Sequence, residues 1–433
     1  MDPSNPSHVA KMFMEFMNDD TDEQIVRLLY EYQAQEEAAS SSRPRRPRRN
    51  IERNREEGHN RLFNDYFSEA PVYKDEQFRR RYQMHKHVFL RIVEALGQHD
   101  EYFRATVDAT GRSSLSPLQK CTVVIRMLAY GTSADSVDDY LRIGETTTLQ
   151  CVDKFTRGVI NVFGAQYLRS PTNEDVERLL RMGEARGFPG MLESIDCMHW
   201  EWKNCLVALK GQYVRGDHGK PTVMLEAVAS QDLWIWHAFF GVAGSNNDIN
   251  VLNQSNVFND VLHGRAPAVH YKVNRTEYNM CYYLSDDIYP EWATFVKSIP
   301  MPQGDKRKLF AQHQEGARKD IERAFGVLQS RFAIIRNPAR SWHLDALKRI
   351  MDTCIILHNM IVEDERATYG GNFDYSYDKL QGNDSSAPPN NSNIDFQEFM
   401  RRRFDVRDKQ IHRQLQQDLI EHIWERFGHD NNN

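Results

Sequence analysis

The stretch Leu192-Glu-Ser-Ile-Asp196 marks the position at which the sequence pattern changes along the chain. Before it, residues 61–186 carry apolar side chains at helical spacing, which predicts an all-α region. From Gly190 onward, short β-rich runs alternate with helical patterns. We expect strands at 192–196, 222–229, 233–242 and 280–284. Helices are predicted at 249–262, 315–335 and 344–362. The sequence therefore predicts a mixed α/β region over 187–362.

Within the all-α region, one helix is predicted over 78–96 and a second from Pro117 to Gly131, with Ser116 as its N-cap. Further along, residues 134–141 and 146–163 have helical patterns with Gly144 between them. This is helix-turn-helix spacing, in which the second helix would enter a DNA groove. A structural three-helix unit is the alternative, because the second helix has few positive charges.

The net charge of the 433-residue chain hides a pattern along its length. Against 55 Lys and Arg stand 61 Asp and Glu, for a formal charge of -6. Residues 1–42 contain nine acids and two basic residues, and residues 363–433 contain fourteen acids and nine basic residues. Residues 297–349 instead contain twelve basic residues and five acids. The net negative charge of the whole chain excludes a protein that simply coats nucleic acid. The basic stretch at 297–349 is nevertheless a candidate binding surface for a polyanion.

Cysteine usage and hydropathy indicate an intracellular protein. The six cysteines have no pair at the spacing of a zinc knuckle, and no signal-peptide pattern opens the sequence. Mean hydropathy is -0.67, and no apolar run approaches about 18 residues, so we expect no membrane span. The cysteines are expected to be reduced.

The two ends of the chain are predicted to differ from its centre. Residues 1–60 are acidic and then Arg/Pro-rich, and we expect disorder there around one amphipathic helix at 22–37. The Arg/Pro run at 43–49 indicates either a nuclear localisation signal or a DNA-contacting arm, with a solvated linker as the alternative. Residues 363–394 are predicted to be a disordered linker, and residues 395–433 return to helix.

Three acids lie at positions that could expose them in a cleft. Asp196 ends the first predicted strand, Asp286 follows the fourth, and Glu322 lies on a predicted helix. Phosphodiester chemistry with two metal ions needs acidic side chains around metals about 3.5–4 Å apart. Mg²⁺ prefers such carboxylate oxygens. Taken singly, each acid has a simpler interpretation as a strand-end cap or, for Glu322, as the partner of Arg318.

Several motifs in order resemble the PIF/Harbinger transposases, particularly the plant Pong/Ping type, over roughly residues 60–365. Any one motif is weak, and their order and distances carry the resemblance. They are Gly187-Phe-Pro-Gly190, Ser194-Ile-Asp196-Cys-Met-His199-Trp, Gly241-Val-Ala-Gly-Ser-Asn-Asn-Asp248, Leu284-Ser-Asp286-Asp-Ile-Tyr-Pro290, Arg318-Lys-Asp-Ile-Glu322-Arg-Ala-Phe-Gly, Arg331-Phe and Cys354-Ile-Ile-Leu-His-Asn359.

The resemblance implies an RNase H-like core, a mixed sheet flanked by helices, with a DDE triad of catalytic and metal-binding residues. The triad maps onto Asp196, Asp286 and Glu322. The implied cofactor is a divalent cation, Mg²⁺ or alternatively Mn²⁺, and the implied substrates are transposon-end and target DNA. The implied partner is a Myb-like DNA-binding protein, and the implied location is the nucleus, with the cytoplasm as an alternative. Assembly of several copies is left open.

Some positions stay open. Asp287 adjoins Asp286, and the chain reads Ser-Asp-Asp-Ile-Tyr-Pro where the family usually has Gly-Asp-Ser-Gly-Tyr-Pro. Glu315 is a second candidate for the third acid, and Asp248 is a candidate supporting or helix-capping acid. His199 is interpreted either as a phosphate-positioning residue or as a packed histidine.

Basic residues near Glu322 are candidates for contacts with DNA phosphates, and a solvated helix face is the alternative. The candidates are Arg318, Arg323, Lys319, Lys306 and Lys308. The predicted function is metal-dependent cleavage and strand transfer of Harbinger-type transposon ends. The rival prediction is a domesticated, non-catalytic descendant that acts through chromatin or protein interactions.

Overall fold

The computed structural model describes residues 53–107, 111, 113–216, 219–369 and 396–428. The predicted helix at 22–37, the Arg/Pro run at 43–49 and residues 370–394 of the predicted linker lie outside the described residues. None of the helices that it describes is long and apolar enough to cross a membrane.

The region before the sheet is helical, as predicted. Two 3₁₀ turns, Glu101–Phe103 and Ala134–Val137, lie between its helices. The α-helices are α1 (Arg55–Tyr66), α2 (Asp75–Tyr82), α3 (Lys86–His99), α4 (Pro117–Tyr130), α5 (Asp138–Leu141), α6 (Glu145–Tyr167) and α7 (Asn173–Ala185).

Helix α4 confirms the predicted boundaries. Ser116 accepts a hydrogen bond from the Gln119 backbone N–H while the Gln119 side chain bonds the Ser116 backbone, which forms a capping box. Gly131 ends the helix with a φ of 61°, a conformation that glycine adopts without steric cost. The prediction of one helix over 78–96 is wrong. Gln83 has a φ of 60° and separates α2 from α3.

The sheet is mixed, and its central strand contains the stretch Leu192–Asp196. Its strands are β1 (Met191–Glu201), β2 (Thr222–Ala229), β3 (Ile235–Ala243), β6 (Tyr282–Ser285) and β7 (Phe295–Lys297). The order is β3-β2-β1-β6-β7. The β1–β2 and β2–β3 pairs are antiparallel, whereas β1–β6 and β6–β7 are parallel. Strands β4 (Tyr271–Val273) and β5 (Thr276–Tyr278) form a separate hairpin.

The remaining helices follow or interrupt the strands. The predicted helix over 249–262 is two short helices, and the helix predicted from 315 begins ten residues earlier. Helix α13 continues into the predicted linker that was expected to begin at 363. These helices are α8 (Lys210–Tyr213), α9 (Asp248–Gln254), α10 (Asn259–Leu262), α11 (Asp305–Arg331), α12 (Ala333–Arg336), α13 (Leu344–Tyr369), α14 (Phe396–Val406) and α15 (Lys409–Phe427).

The helical region and one side of the sheet share a hydrophobic core. Phe89 of α3, Phe155 of α6, Leu225 of β2 and Ile355 of α13 belong to one buried cluster. A second cluster packs α15 against the first half of α11 and strand β6. The described residues from Asn54 onward therefore belong to one compact unit. Helix α11 lies between the two clusters, since residues of both are on it.

Candidate active site

Two of the sequence-predicted acids lie at corresponding positions of neighbouring parallel strands. Strands β1 and β6 are parallel, and Ser194 pairs with Leu284 in their register. Asp196 and Asp286 each follow this pair by two residues, so they occupy corresponding positions on neighbouring strands. The prediction that Asp196 ends its strand is wrong, because β1 continues to Glu201, whereas Asp286 directly follows β6. The structure therefore brings together the first two members of the predicted triad.

Helix α11 is fixed against this part of the sheet by two buried side chains. Gln314 donates from Nε2 to the carbonyl oxygens of Ser285 (3.0 Å), the last residue of β6, and Val296 (3.1 Å), the middle residue of β7. Ser194 donates from Oγ to the carbonyl oxygen of Ala317 at 3.2 Å. Residues spaced by four lie on one helix face. Gln314 thus orients the face that carries the residues at 318 and 322.

Arg318 connects the strand acid to the helix acid. Its Nη1 atom lies 2.9 Å from Oε1 of Glu322 and 3.4 Å from Oδ2 of Asp196. The Arg318 side chain is only 14% exposed, whereas that of Glu322 is 45% exposed. The contact with Arg318 that was predicted as the alternative role of Glu322 is therefore present. It also links Glu322 to Asp196.

Asp196 has an unusual acidity. Its pKa is raised to about 6, first because the carboxyl is buried and also because Asp248 and Glu322 are negatively charged. The backbone N–H of Cys197, which donates to Oδ1 at 2.8 Å, and the charge of Arg318 oppose the rise. Clustered perturbed acids of this kind are typical of functional sites.

The neighbouring acids Asp286 and Asp287 have different environments. The Asp287 backbone N–H donates to Oδ1 of Asp286 at 2.5 Å, and Asp287 itself is exposed. Burial acts to raise the pKa of Asp286, but hydrogen bonds from Asp287 and the charge of Arg318 outweigh it and lower that pKa. The pKa of Asp287 is raised by its hydrogen bond to Asp286 and by that residue's charge. Asp286 is the one of the two that interacts with Arg318.

Two further acids surround the site. Asp248, the first residue of α9, has a raised pKa because of burial, and the negative charges of Asp286 and Glu226 contribute to the rise. Glu226 is fully buried on β2 and pairs in register with Cys197. Glu226 was not among the residues predicted from the sequence. The signal was a single acid within the apolar run of β2, all of whose residues are buried.

The donor set fits a hard divalent cation in its chemistry. Asp196, Asp286 and Glu322 offer carboxylate oxygens, the ligands that Mg²⁺ and Mn²⁺ prefer. Burial raises the pKa of Asp196, and the charges of Asp248 and Glu322 add to the rise, so these acids lie close enough to act on one another. Among the described residues, the three carboxylates do not lie within 4.8 Å of one another. The guanidinium of Arg318 lies between two of them.

The segment that contains these acids matches a known protein-family model. Residues 165–369 match the model of the plant transposon protein family. The chain contains a plant transposon protein domain. Residues 58–97 match a second model, which describes a domain of unknown function. No curated protein and no solved structure matches the chain significantly.

The plant transposon protein domain contains all three acids of the predicted triad and the other candidates for it. Glu315 is exposed and pairs with Lys319 at 2.8 Å. His199, on β1, contacts Thr222 through Nδ1 at 2.9 Å and Arg215 through Nε2 at 3.4 Å. Asp248 lies near the triad, since it is close enough to Asp286 for the charge of that residue to raise its pKa. The structure leaves Glu315 on the exposed side of α11.

Most of the predicted DNA-contact residues of this domain form ion pairs within the chain. Arg318 contacts the two acids described above, Lys319 pairs with Glu315, and Lys308 is exposed. The other two pairs are Arg323 with the fully buried Asp320, and Lys306 with Glu421 of α15.

In the predicted helix-turn-helix segment, residues 134–141 form a 3₁₀ turn followed by the four-residue helix α5. Helix α6, its longer helix, buries Thr148, Cys151 and Phe155 in the core. Both of its positive charges have acidic partners, since Lys154 lies 3.1 Å from Asp100 and Arg157 lies 3.0 Å from Asp153.

The final family-like motif, Cys354 to Asn359, has a structural role. Asn359 is fully buried. It accepts a hydrogen bond from the Ile235 backbone N–H (2.9 Å) and donates to the carbonyl oxygens of Ile235 and Tyr167 (both 2.7 Å). His358 contacts the carbonyl oxygen of Leu233 through Nε2 at 2.8 Å, and burial lowers its pKa to about 3. The motif therefore anchors α13 to the start of β3.

Proposed function

We propose that the chain is a DDE-type, metal-dependent nuclease and transposase of the PIF/Harbinger superfamily, with an RNase H-like core that cleaves and transfers transposon ends. The observation that carries the proposal is the position of Arg318. It connects Asp196 of β1 with Glu322 and interacts with Asp286, which directly follows the neighbouring parallel strand β6. The mixed five-stranded sheet flanked by helices supports the proposed core.

In this proposal Asp196, Asp286 and Glu322 hold Mg²⁺ or Mn²⁺. When bound, the cation supplies positive charge that polarises the phosphodiester and activates water or a 3′-hydroxyl. Gln314 keeps the helix face of Glu322 directed at the strand ends. Arg318, whose guanidinium suits phosphate oxygens, would contact a DNA phosphate when the carboxylates hold the cation.

The proposed enzyme acts with a Myb-like DNA-binding partner in the nucleus. Both positive charges of α6, Lys154 and Arg157, already have acidic partners in the chain. This supports recognition of the transposon ends by a second protein rather than by α6. Residues 43–49, outside the described residues, would direct the chain to the nucleus.

A second candidate function is that of a non-catalytic, transposase-derived nuclear protein. One observation favours it: the three carboxylates do not lie within 4.8 Å of one another among the described residues, and Arg318 already offsets part of their charge. Such a descendant would retain the fold and bind no catalytic metal.

An excision assay with and without the Myb-like partner tests the proposal. The donor plasmid carries an element with Harbinger-type terminal repeats, and Asp196→Asn, Asp286→Asn and Glu322→Gln are each expected to lower excision at least 100-fold. Glu315→Gln is the matched control, because Glu315 lies on the same helix but is exposed and paired with Lys319.

Binding of Mn²⁺ by the purified chain, followed by electron paramagnetic resonance, separates the two candidate functions. A transposase binds Mn²⁺ and loses that binding in Asp196→Asn. A non-catalytic descendant gives the same weak binding in the wild type and in the variant. Normal excision by all three triad variants would contradict the assignment of the site.

A further inference from the structure

A second cluster of metal-ligating residues lies far along the chain from the triad, near the end of α13. Three consecutive acids, Glu363, Asp364 and Glu365, contact the helical region there. Glu363 accepts a hydrogen bond from the hydroxyl of Tyr167, and Glu365 pairs with Arg79 at 2.7 Å. The acids on either side of Asp364 are thus paired with hydroxyl and guanidinium groups.

Asp364 is paired differently, with two histidines. Nδ1 of His85 lies 2.5 Å from Oδ2 of Asp364, and Nε2 of His87 lies 2.5 Å from Oδ1. The two imidazoles are nearly parallel, with ring centroids 5.6 Å apart and an interplanar angle of 18°. Each oxygen of one carboxylate therefore contacts a different ring nitrogen.

The backbone at the start of α3 produces this arrangement. His85 is the N-cap of α3 in an extended conformation, and His87 is the second residue of the helix. This change of conformation lets one histidine present Nδ1 and the other Nε2 to the same carboxylate. Among the described residues, this is the one group of at least three His, Cys, Asp or Glu side chains whose ligand atoms all lie within 4.8 Å of one another.

The donor set selects a class of ion. Two imidazole nitrogens and a carboxylate suit Zn²⁺ and similar transition metals, with metal–ligand distances of about 2.0–2.2 Å, whereas Mg²⁺ prefers oxygen ligands. We propose that His85, His87 and Asp364 form a binding site for a divalent transition metal, with Zn²⁺ as the preferred ion. The metal bonds replace the two N–H···O contacts, and each imidazole gives up the proton that faces the carboxylate.

The position of the site indicates a structural role. The histidines lie in the segment that matches the domain of unknown function, residues 58–97, and Asp364 lies in the plant transposon protein domain. His85 and Asp364 are 26% and 14% exposed, whereas His87 is 70% exposed, so water can reach the remaining coordination position beside His87. A bound ion would link the two segments.

Zinc titration of the full chain, after treatment with a chelator, tests the site. Calorimetry is expected to show one equivalent of Zn²⁺ bound at least tenfold more tightly by the wild type than by His87→Ala or Asp364→Asn. His270→Ala is the control, because His270 is exposed, contacts Asn279 and is not part of the cluster. Co²⁺ should give visible absorption bands of an N,O-coordinated ion in the wild type that are absent in His87→Ala.

The zinc site does not depend on the proposed triad. Asp196→Asn should retain the tight equivalent, and millimolar Mg²⁺ should not displace it. Zn²⁺ should also raise the melting temperature of the wild type more than that of His87→Ala. Equal zinc affinity in the wild type and in His87→Ala would overturn the proposal and leave two hydrogen-bonded histidines. Because the His87 side chain is 70% exposed, His87→Ala is expected to fold normally, and a loss of zinc affinity in this variant would not result from misfolding.

Discussion

Arg318 of helix α11 contacts Asp196 of strand β1, with Nη1 of the arginine 3.4 Å from Oδ2 of the aspartate. The same guanidinium contacts Glu322. A positively charged side chain thus stands where the proposed function requires a cation. The arginine and the cation would compete for the same carboxylates, and this competition can be measured.

Replacing Arg318 by glutamine should strengthen binding of Mn²⁺. Loss of one positive charge beside the carboxylates is expected to increase the affinity about tenfold, or ~1.4 kcal/mol. Titration followed by electron paramagnetic resonance measures the change. Lys319→Gln is the control, because the neighbouring lysine pairs with the exposed Glu315. Weaker Mn²⁺ binding in Arg318→Gln would instead show that the arginine mainly orders the acids.

The two adjacent aspartates at the end of β6 should differ in importance. Asp286 interacts with Arg318, whereas Asp287 is exposed and donates its backbone N–H to Asp286. Because substitution of the Asp287 side chain keeps that N–H, Asp287→Asn should retain excision within about threefold, while Asp286→Asn should abolish it. Excision assays on both variants at equal protein levels provide the comparison. The reverse result would move the second acid of the triad to Asp287.

Glu193 should make stability depend on pH. It is buried on β1, its Oε1 has no hydrogen-bond partner among the described residues, and burial raises its pKa well above the usual value. Because the folded protein holds the proton more tightly than the unfolded chain, the stabilisation is complete below the unfolded pKa and is lost as the pH rises towards the folded pKa. Glu193→Gln should therefore raise the free energy of unfolding at pH 8 by about 1–3 kcal/mol, and by little at pH 4.

Urea unfolding at the two pH values measures this gain. Glu277→Gln, a change of an exposed glutamate on β5, should show no such gain at pH 8. A Glu193→Gln variant that is equally stabilised at both pH values would contradict the titration argument.

Asn359 should be important for stability rather than for catalysis. Its side chain is bonded to two backbone groups of Ile235 and one of Tyr167, all in the interior. Asn359→Ala leaves these groups unpaired and is expected to lower the free energy of unfolding by about 3 kcal/mol. Urea unfolding followed by tryptophan fluorescence gives the value. Asn250→Ala, which removes an exposed side chain of α9, should change it by less than about 0.5 kcal/mol.

Local signals predicted much of the fold. Ser116, Pro117 and Gly131 set the limits of α4, and the apolar run of β2 gave its bounds, Thr222–Ala229. Such elements are specified by the residues within them and directly beside them. By contrast, the break at Gln83 was missed, because its φ of 60° occurs without a glycine, asparagine or proline to indicate it.

Long-range pairing accounts for what the sequence did not reveal in the candidate site. The three acids could be named from their motifs, and the contact of Arg318 with Glu322 follows from helical spacing. Its contact with Asp196, 122 residues away, depends on how α11 packs across β1. The link between His85 and Asp364 spans 279 residues, and no local pattern indicates it.

The three consecutive acids near the end of α13 have a consequence for how the chain can be divided. A chain that ends at residue 362 would lose the partners of Tyr167, Arg79 and both histidines of the cluster. Cutting at that predicted boundary would therefore damage the helical region as well as remove the C-terminal helices. Partner-docking surfaces are therefore better mapped by substituting exposed residues one at a time than by truncation. Residues 363–365 belong to α13 and also contact the helical region before the sheet.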